Sequence, residues 1–291
     1  MAKIYAIANR KGGCGKSTSV VNLGASLAKQ GKKVLVLDGD SQHSLTVSLG
    51  VKEPDKLQSS LSTLITDIIS NKDIKWETSI ITHSEGMALL PSNNSLAGIE
   101  ITLAPLMGRE TVMGQLLEVI SPHFDVVLID TPPTLDLLTI NALAAAHSVI
   151  IPVAPKFLDA KGLELLLKSI AQIRRFINPN LSIAGILLTM VDRRSKFTKE
   201  ITGMIEEAYG EQIRIFKSQI PYSVRAVESS ATGRSIFEYE PNGRVALAYA
   251  ALALELFADG LGCSSPTKAP VRSPSVSSYC SAARQGVLAN A

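Results

Sequence analysis

The chain has 291 residues, 46% of them hydrophobic, and no apolar run long enough to cross a membrane, so we expect one large buried core and no membrane-spanning helix. Its formal charge is +3, and residues 262–291 carry three cations and no acid, which leaves residues 1–261 without net charge. Binding of nucleic acid would therefore need a local basic patch, because overall basicity is excluded. Cys14, Cys263 and Cys280 lack the spacing of metal ligands, and no disulfide framework is expected.

The first predicted strand covers residues 3–9, and a helix is predicted over 17–30. Because the strand begins almost at the first residue, we expect no secretory signal, no N-terminal DNA-reading domain and a cytoplasmic protein. A glycine-rich loop joins the two elements, and its N–H groups can face phosphate oxygens at the positive end of the helix dipole. In such a loop Lys16 contacts the β- and γ-phosphates of a nucleotide, and the Ser17 hydroxyl is a ligand of Mg²⁺.

A second lysine, Lys11, precedes the first glycine of this loop. A cation beside Lys16 is unfavourable unless a polyphosphate offsets it. The pattern Lys-Gly-Gly-x-Gly-Lys-Ser resembles the deviant Walker A motif of the ParA/MinD group of ATPases, whose signature lysine crosses a dimer interface to contact the partner's nucleotide. The resemblance implies that ATP is bound between two subunits, with Lys11 and Lys16 in catalytic roles. It also implies that the nucleotide is bound by the loop residues Lys11, Gly12, Gly13, Cys14, Gly15, Lys16, Ser17 and Thr18.

Cys14 occupies a loop position that is often valine in this group, and two hypotheses follow. The side chain is either a small group that fills space or a thiolate whose pKa is lowered at a helix N-terminus. The second hypothesis predicts redox-sensitive ATP binding.

The next predicted strand, 33–38, ends in Asp38-Gly39-Asp40. This ending resembles the Asp-x-Asp element of the same group, in which the second aspartate orients the attacking water. The resemblance gives Asp40 that catalytic role and gives Asp38 a place in the Mg²⁺ shell or in support of the switch loop. The following residues depart from the frequent Pro-Gln-Gly-Asn of the group, since His43 stands where glycine is usual.

Residues 51–86 are more polar and predict an excursion on the surface, with a possible helix over 57–70. A strand is predicted at 87–90 and a helix at 110–120. The strand predicted at 125–129 runs into Asp130 and resembles the Walker B region of the group, whose aspartate holds Mg²⁺ through water. Strand ends that carry Lys16, Asp40 and Asp130 converge in a nucleotide site.

The second half of the chain continues the alternation of strands and helices. Alternating elements with nearly continuous Val, Ile and Leu strands predict a mostly parallel twisted sheet with helices on both faces, the α/β fold of a P-loop NTPase. Residues 1–261 are expected to form this ATPase domain, and the serine- and proline-rich residues 262–291 a disordered tail. The predicted strands are 148–153, 182–190 and 213–220, and the predicted helices are 135–146, 159–176, 196–208 and 242–258.

Two later segments, 185–194 and 220–225, resemble segments of ParA-type partition ATPases that frame the adenine and carry arginines for the DNA backbone. The resemblance implies that Pro221 binds nucleotide and that Arg194 and Arg225 bind DNA. An ordinary mixed surface is the alternative, because residues 193–244 hold nine Lys or Arg and seven Glu. Weaker candidates for DNA contacts are Arg193, Lys217 and Arg244.

Among relatives, the MinD type ends in an amphipathic membrane helix, whereas this tail has three prolines and no apolar stripe, so no membrane partner is expected. The remaining interpretation is a partition ATPase that forms an ATP-dependent homodimer, coats nucleoid DNA nonspecifically and hydrolyses ATP slowly until a ParB-like centromere-binding partner stimulates it. One alternative is a ParA-like ATPase that positions a protein cargo, and another is a regulator that binds partners and hydrolyses little.

Overall fold

A computed structural model describes residues 1–258, except for the side chains of residues 157–161 and 258. The predicted tail at 262–291 lies outside the described residues. The strands are β1 (Lys3–Ile7), β2 (Val34–Asp38), β3 (Ile81–Thr82), β4 (Ala88–Leu90), β5 (Val126–Asp130), β6 (Ser148–Val153) and β7 (Ser182–Leu188). The helices are α1 (Lys16–Lys29), α2 (Ser44–Ser48), α3 (Leu61–Ile69), α4 (Ser95–Leu103), α5 (Val112–Ile120), α6 (Leu137–Ala145), α7 (Phe157–Phe176), α8 (Lys196–Tyr209), α9 (Val224–Ala231), α10 (Ile236–Tyr239) and α11 (Arg244–Ala258).

The strands form one sheet in the order β3-β4-β2-β5-β1-β6-β7. All pairs are parallel except β3 with β4. The mostly parallel α/β fold is therefore confirmed. β1 lies between β5 and β6, so the loop that follows β1 emerges at the middle of the carboxyl edge, where ligands bind in open α/β sheets.

Helices cover both faces of the sheet because side chains along each buried strand alternate between them. Ile4 and Ala6 of β1 face the core that α3 to α8 complete. Tyr5 and Ile7 face the opposite core, which contains residues of α1, α2, α10 and α11. The loop between β1 and α1 is thus supported from both layers.

Residues 51–86 pack more deeply than the predicted surface excursion. The possible helix is α3, and its residues Leu61, Leu64 and Ile65 are buried in the first core. Their apolar spacing lets a short helix cover the sheet although the sequence around it is polar. The prediction of a surface excursion was therefore wrong for this helix.

The strand predicted at 213–220 is also wrong. This segment runs beside β7, and the N–H groups of Phe216 and Ile220 donate to the Ile186 and Leu188 carbonyls at 2.9 and 2.8 Å. The pairing is nevertheless limited to two isolated bridges, Ile186 with Ile215 and, just beyond β7, Val191 with Pro221. The N–H groups of Lys217 and Ser218 donate instead to the Glu255 carboxylate of α11, at 2.8 and 2.9 Å. A side chain from a distant helix therefore interrupts the ladder that the apolar pattern predicts.

Two glycines bring the end of α2 against the turn between α9 and α10. Gly50 and Gly233 have φ of +89° and +73°, and a Cβ atom on Gly233 would lie 2.6 Å from Gly50 Cα. Left-handed backbone and backbone contact both require glycine here.

We expect Gly233→Ala to lower the free energy of unfolding by about 2–4 kcal/mol, because it adds overpacking to left-handed strain. Gly31→Ala is the matched control, since Gly31 has φ +81° but open space around it. Its expected cost is about 1 kcal/mol. Urea denaturation measures both, and equal losses would show that the contact with Gly50 contributes nothing.

Candidate functional site

The loop between β1 and α1 presents backbone N–H groups. Gly13 and Gly15 adopt left-handed conformations, with φ of +70° and +86°. Gly15 is the N-cap residue of α1, and no side chain caps the helix. The first N–H groups of α1 are thus available to an anion, which the positive end of the helix dipole attracts. Lys16 is buried, and its Nζ donates to the Lys11 carbonyl at 3.3 Å.

A pocket of about 360 Å³ lies beside this loop and contains part of the predicted set. Gly13, Gly15 and Lys16 line it together with Ser17 and Thr18. Pro221 also lines the pocket. Lys11, Gly12 and Cys14 are not among the residues lining the pocket.

Two buried polar side chains hold the loop, and the sequence analysis assigned a role to neither. Asn9 accepts the Lys11 N–H at 3.1 Å and donates to the Pro152 carbonyl of β6 at 2.6 Å. Thr189, just after β7, donates its hydroxyl to the Cys14 carbonyl at 2.8 Å. A sequence signal exists for Asn9, a polar residue between an apolar strand and the loop, whereas the contact made by Thr189 depends on how the sheet is assembled.

Cys14 is buried, and its Sγ lies 3.2 Å from the Lys11 carbonyl oxygen. This packing supports the hypothesis of a small group that fills space. The redox hypothesis stays a prediction.

Asp38 and Asp130 end adjacent strands in register, and the Gly39 N–H donates to the Asp130 carbonyl at 3.0 Å. A Cβ atom on Gly39 would lie 2.7 Å from that oxygen, so only glycine fits between the two aspartates of the Asp-x-Asp element. Asp40 follows and is 8% exposed. Asp40 and Asp130 therefore lie at the same edge of the sheet as the loop that carries Lys16.

The Asp38 carboxylate supports the loop that leads into α2. One oxygen accepts from the Thr46 N–H at 2.8 Å and from the Thr46 hydroxyl at 2.6 Å, and the other accepts from the Asp40 N–H at 3.2 Å. Burial raises the pKa of Asp38 to about 6, although the hydrogen bonds from Thr46 lower it. Of the two roles predicted for Asp38, these bonds favour support of the switch loop.

Asp130 is fully buried, and neither of its carboxylate oxygens has a hydrogen-bond partner among the residues that the structure describes. Burial, with a further contribution from the charge of Asp38, raises its pKa well above the usual range, whereas the nearby Ser17 hydroxyl and Lys16 ammonium lower it. An unpaired buried carboxylate is costly unless it binds a cation. Its two free oxygens beside the Ser17 hydroxyl form an oxygen donor set that fits Mg²⁺.

His43 is the N-cap residue of α2 and adopts a left-handed conformation, with φ +47°. Its Nδ1 lies 3.1 Å from the Ser41 carbonyl oxygen. This backbone conformation favours glycine, the usual residue of the group at this position. The switch loop thus combines a glycine-like backbone with a histidine side chain.

A basic groove of about 690 Å³ lies between α11 and the segment 213–221. It brings together Arg193, Arg194, Lys217 and Arg244, and it shares Pro221 and Tyr222 with the pocket beside the loop. Arg225 is not among its lining residues. That arginine lies exposed on α9, where it pairs with Glu228 at 3.2 Å.

No helix in residues 1–258 has the length and apolar character needed to cross a membrane.

Comparison with known proteins identifies a matching family model and two partition-related sequences. A family model for an AAA domain matches residues 2–183. The chain is 38% identical over 260 residues to the sporulation initiation inhibitor protein Soj of Bacillus subtilis, covering 89% of this chain and 100% of that protein. It is 32% identical over 256 residues to the chromosome partitioning protein ParA of Caulobacter vibrioides, covering 87% and 93% of the two chains.

Among solved structures, the chain is similar to cobyrinic acid a,c-diamide synthase from Mycobacterium smegmatis with bound ATP analog and magnesium. The TM-score is 0.77 at 33% identity, covering 92% of this chain and 100% of that one. The sequence relatives indicate the same family as the parallel sheet and the loop with its two lysines. The chain belongs to the ParA/Soj-type partition ATPases of the deviant Walker A family.

Proposed function

We propose that this protein is an ATPase that dimerises with ATP, binds DNA without sequence preference, and segregates plasmid or chromosome DNA with a ParB-like centromere-binding partner. The proposal rests on three features that lie at one edge of the sheet. They are the start of α1, whose N–H groups no side chain caps, the buried Lys16, and Asp130, whose carboxylate oxygens have no hydrogen-bond partner among the described residues. Relatives named for chromosome partitioning support the biological process. The protein acts in the cytoplasm, associated with the nucleoid.

In this proposal the cofactors are ATP and Mg²⁺. The loop N–H groups and Lys16 bind the phosphates, and Pro221 lies against the adenine. Ser17 and Asp130 hold Mg²⁺, which neutralises charge on the phosphate oxygens when bound. Asp40 orients the attacking water, because phosphoryl transfer depends mainly on positioning. Lys11 reaches the nucleotide of the second subunit, residues 1–261 form the ATPase domain, and residues 262–291 form a disordered tail.

The DNA contacts in this proposal are Arg194 and Arg225. Arg194 lies with Arg193, Lys217 and Arg244 in the basic groove. Residues 1–261 have no net charge, so DNA binding needs a local basic patch, and this groove provides one. Arginine suits phosphate through its planar set of donors, and such contacts are independent of sequence and sensitive to salt.

The test is retention of DNA with ATP, with ADP and without nucleotide, across a salt series. Wild type is expected to bind only with ATP, and Arg194→Ala or Arg225→Ala is expected to weaken binding and to reduce the slope of log affinity against log salt by about 0.9 per phosphate contact. Arg175→Ala, on α7 outside the basic groove, is the control. Equal retention without nucleotide would reject the ATP switch. No retention at all would favour an ATPase that positions a protein cargo, or an enzyme of synthesis like the similar cobyrinic acid a,c-diamide synthase.

A further inference from the structure

The two arginines proposed to contact DNA differ in what surrounds them. Arg194 lies in the basic groove and forms no ion pair with a carboxylate among the described residues. The same holds, in that part of the chain, for the other cations of the groove, Arg193, Lys217 and Arg244. Arg225 lies outside the groove, and its Nη1 contacts the Glu228 carboxylate at 3.2 Å. One of the two proposed contacts is therefore already paired within its own subunit.

The Glu228 carboxylate is held beside Arg225 from two helices. The two residues are three apart on α9, so their side chains lie on the same face of that helix. Tyr239 of α10 donates its hydroxyl to Glu228 Oε2 at 3.0 Å, and the same oxygen accepts from Arg225. The Glu228 side chain is 43% exposed, against 59% for Arg225. The carboxylate thus lies at the surface, where a phosphate would approach the guanidinium.

A phosphate that binds Arg225 has to compete with this carboxylate. Both anions use the same planar set of N–H donors, and the charge of Glu228 also repels a phosphate close to the arginine. An ion pair at this exposure contributes little to stability, so a phosphate can displace it. The carboxylate should therefore lower the affinity of Arg225 for DNA without preventing the contact.

We propose that Glu228 limits the affinity of this protein for DNA by competing with phosphate for Arg225. The proposal rests on the proposed binding of DNA through Arg225. A residue that presented the arginine to DNA would have the opposite role, because its loss would weaken binding. The sign of the change in affinity therefore decides between the two roles.

The experiment measures the affinity of the full chain with ATP for a DNA duplex of random sequence, by fluorescence anisotropy across a salt series. Glu228→Gln keeps the size of the side chain and removes its charge. It is expected to bind DNA about threefold more tightly at low salt, within the range that exposed ion pairs contribute. The gain should shrink as salt rises, because salt screens exposed charges. The slope of log affinity against log salt should accordingly become steeper, by at most about 0.9.

Glu238→Gln is the matched control. Glu238 lies on α10, is 41% exposed and pairs with Arg234 at 3.6 Å, so its replacement removes the same charge from a similar helical pair. It is expected to change DNA affinity by less than about 1.5-fold, because a screened charge away from the contact acts weakly. An equal gain in the two glutamine variants would overturn the proposal, since it would reflect net charge alone.

The double variant Arg225→Ala/Glu228→Gln completes the test as a double-mutant cycle. When Arg225 is absent, Glu228→Gln is expected to give no more gain than Glu238→Gln does, because the carboxylate has no arginine to occupy. A threefold gain without Arg225 would overturn the proposal, as would unchanged or lower affinity of the single Glu228→Gln variant. Failure of wild type to bind DNA with ATP would instead reject the DNA function on which the proposal rests.

Discussion

Asp130→Asn is expected to stabilise the nucleotide-free protein and, in the same molecule, to remove ATP hydrolysis that depends on Mg²⁺. The side chain is fully buried, and its carboxylate oxygens have no hydrogen-bond partners in residues 1–258. Asp38 ends the adjacent strand in register and adds a second acidic group. Asparagine keeps the shape and removes the charge, so the cost of a buried, unpaired ion disappears.

We expect a gain of about 1–3 kcal/mol in the free energy of unfolding, which raises the thermal midpoint in EDTA by roughly 5 °C for a chain of this size. Loss of a proposed Mg²⁺ ligand is expected to reduce hydrolysis by about 100-fold or more. Calorimetry in EDTA and phosphate release in Mg²⁺ measure the two effects.

Asp125→Asn is the control, at the opposite end of the same strand. Asp125 precedes β5, is exposed, and accepts the Lys33 N–H at 2.8 Å. Its substitution is expected to give no gain in stability and to leave hydrolysis intact. A lower thermal midpoint for Asp130→Asn in EDTA would contradict the account, because it would mean that the carboxylate is paired in the free protein.

Sequence patterns predicted those features that depend on neighbouring residues. The loop from Lys11 to Thr18 and the strand that ends at Asp130 were located because glycine spacing and apolar runs are local signals. The six strands predicted up to residue 190 lie within two residues of their observed ends, whereas the short edge strand β3 was not predicted. The carboxyl edge of a parallel sheet then implied that Asp40 and Asp130 meet.

The errors and omissions depend on contacts between residues far apart in the sequence. The segment 213–220 has the apolar pattern of a strand, but Glu255 accepts two of its N–H groups and so interrupts the ladder. Thr189 contacts a loop 175 residues away. Neither partner can be identified from local pattern, because each depends on how the sheet is assembled.

The second large effect is expected for Lys11→Ala, which should abolish the ATP-dependent dimer while the monomer still binds nucleotide. The Lys11 backbone is engaged within the subunit, since its N–H donates to Asn9 and its carbonyl accepts from Lys16. The side chain is exposed. Alanine therefore leaves the loop in place and removes only a cation that can reach another molecule.

In a twofold dimer the loss occurs twice. If each lysine pairs with a phosphate in a buried interface, removing both costs about 4 kcal/mol or more, and dimer affinity falls roughly 1,000-fold. Light scattering with a saturating non-hydrolysable ATP analogue measures the dimer, and fluorescence of a labelled nucleotide measures monomer binding, expected to change by less than about threefold.

Arg10→Ala separates a specific lysine contact from a general effect of charge, because Arg10 is also exposed and adjacent in sequence. It is expected to dimerise normally. Lys16→Ala provides the opposite comparison, since its buried Nζ belongs to the pocket and its loss should remove nucleotide binding itself. Dimerisation of Lys11→Ala with wild-type affinity would mean that the lysine before the first glycine serves its own subunit. Contacts other than Lys11 would then have to hold the ATP-bound dimer together.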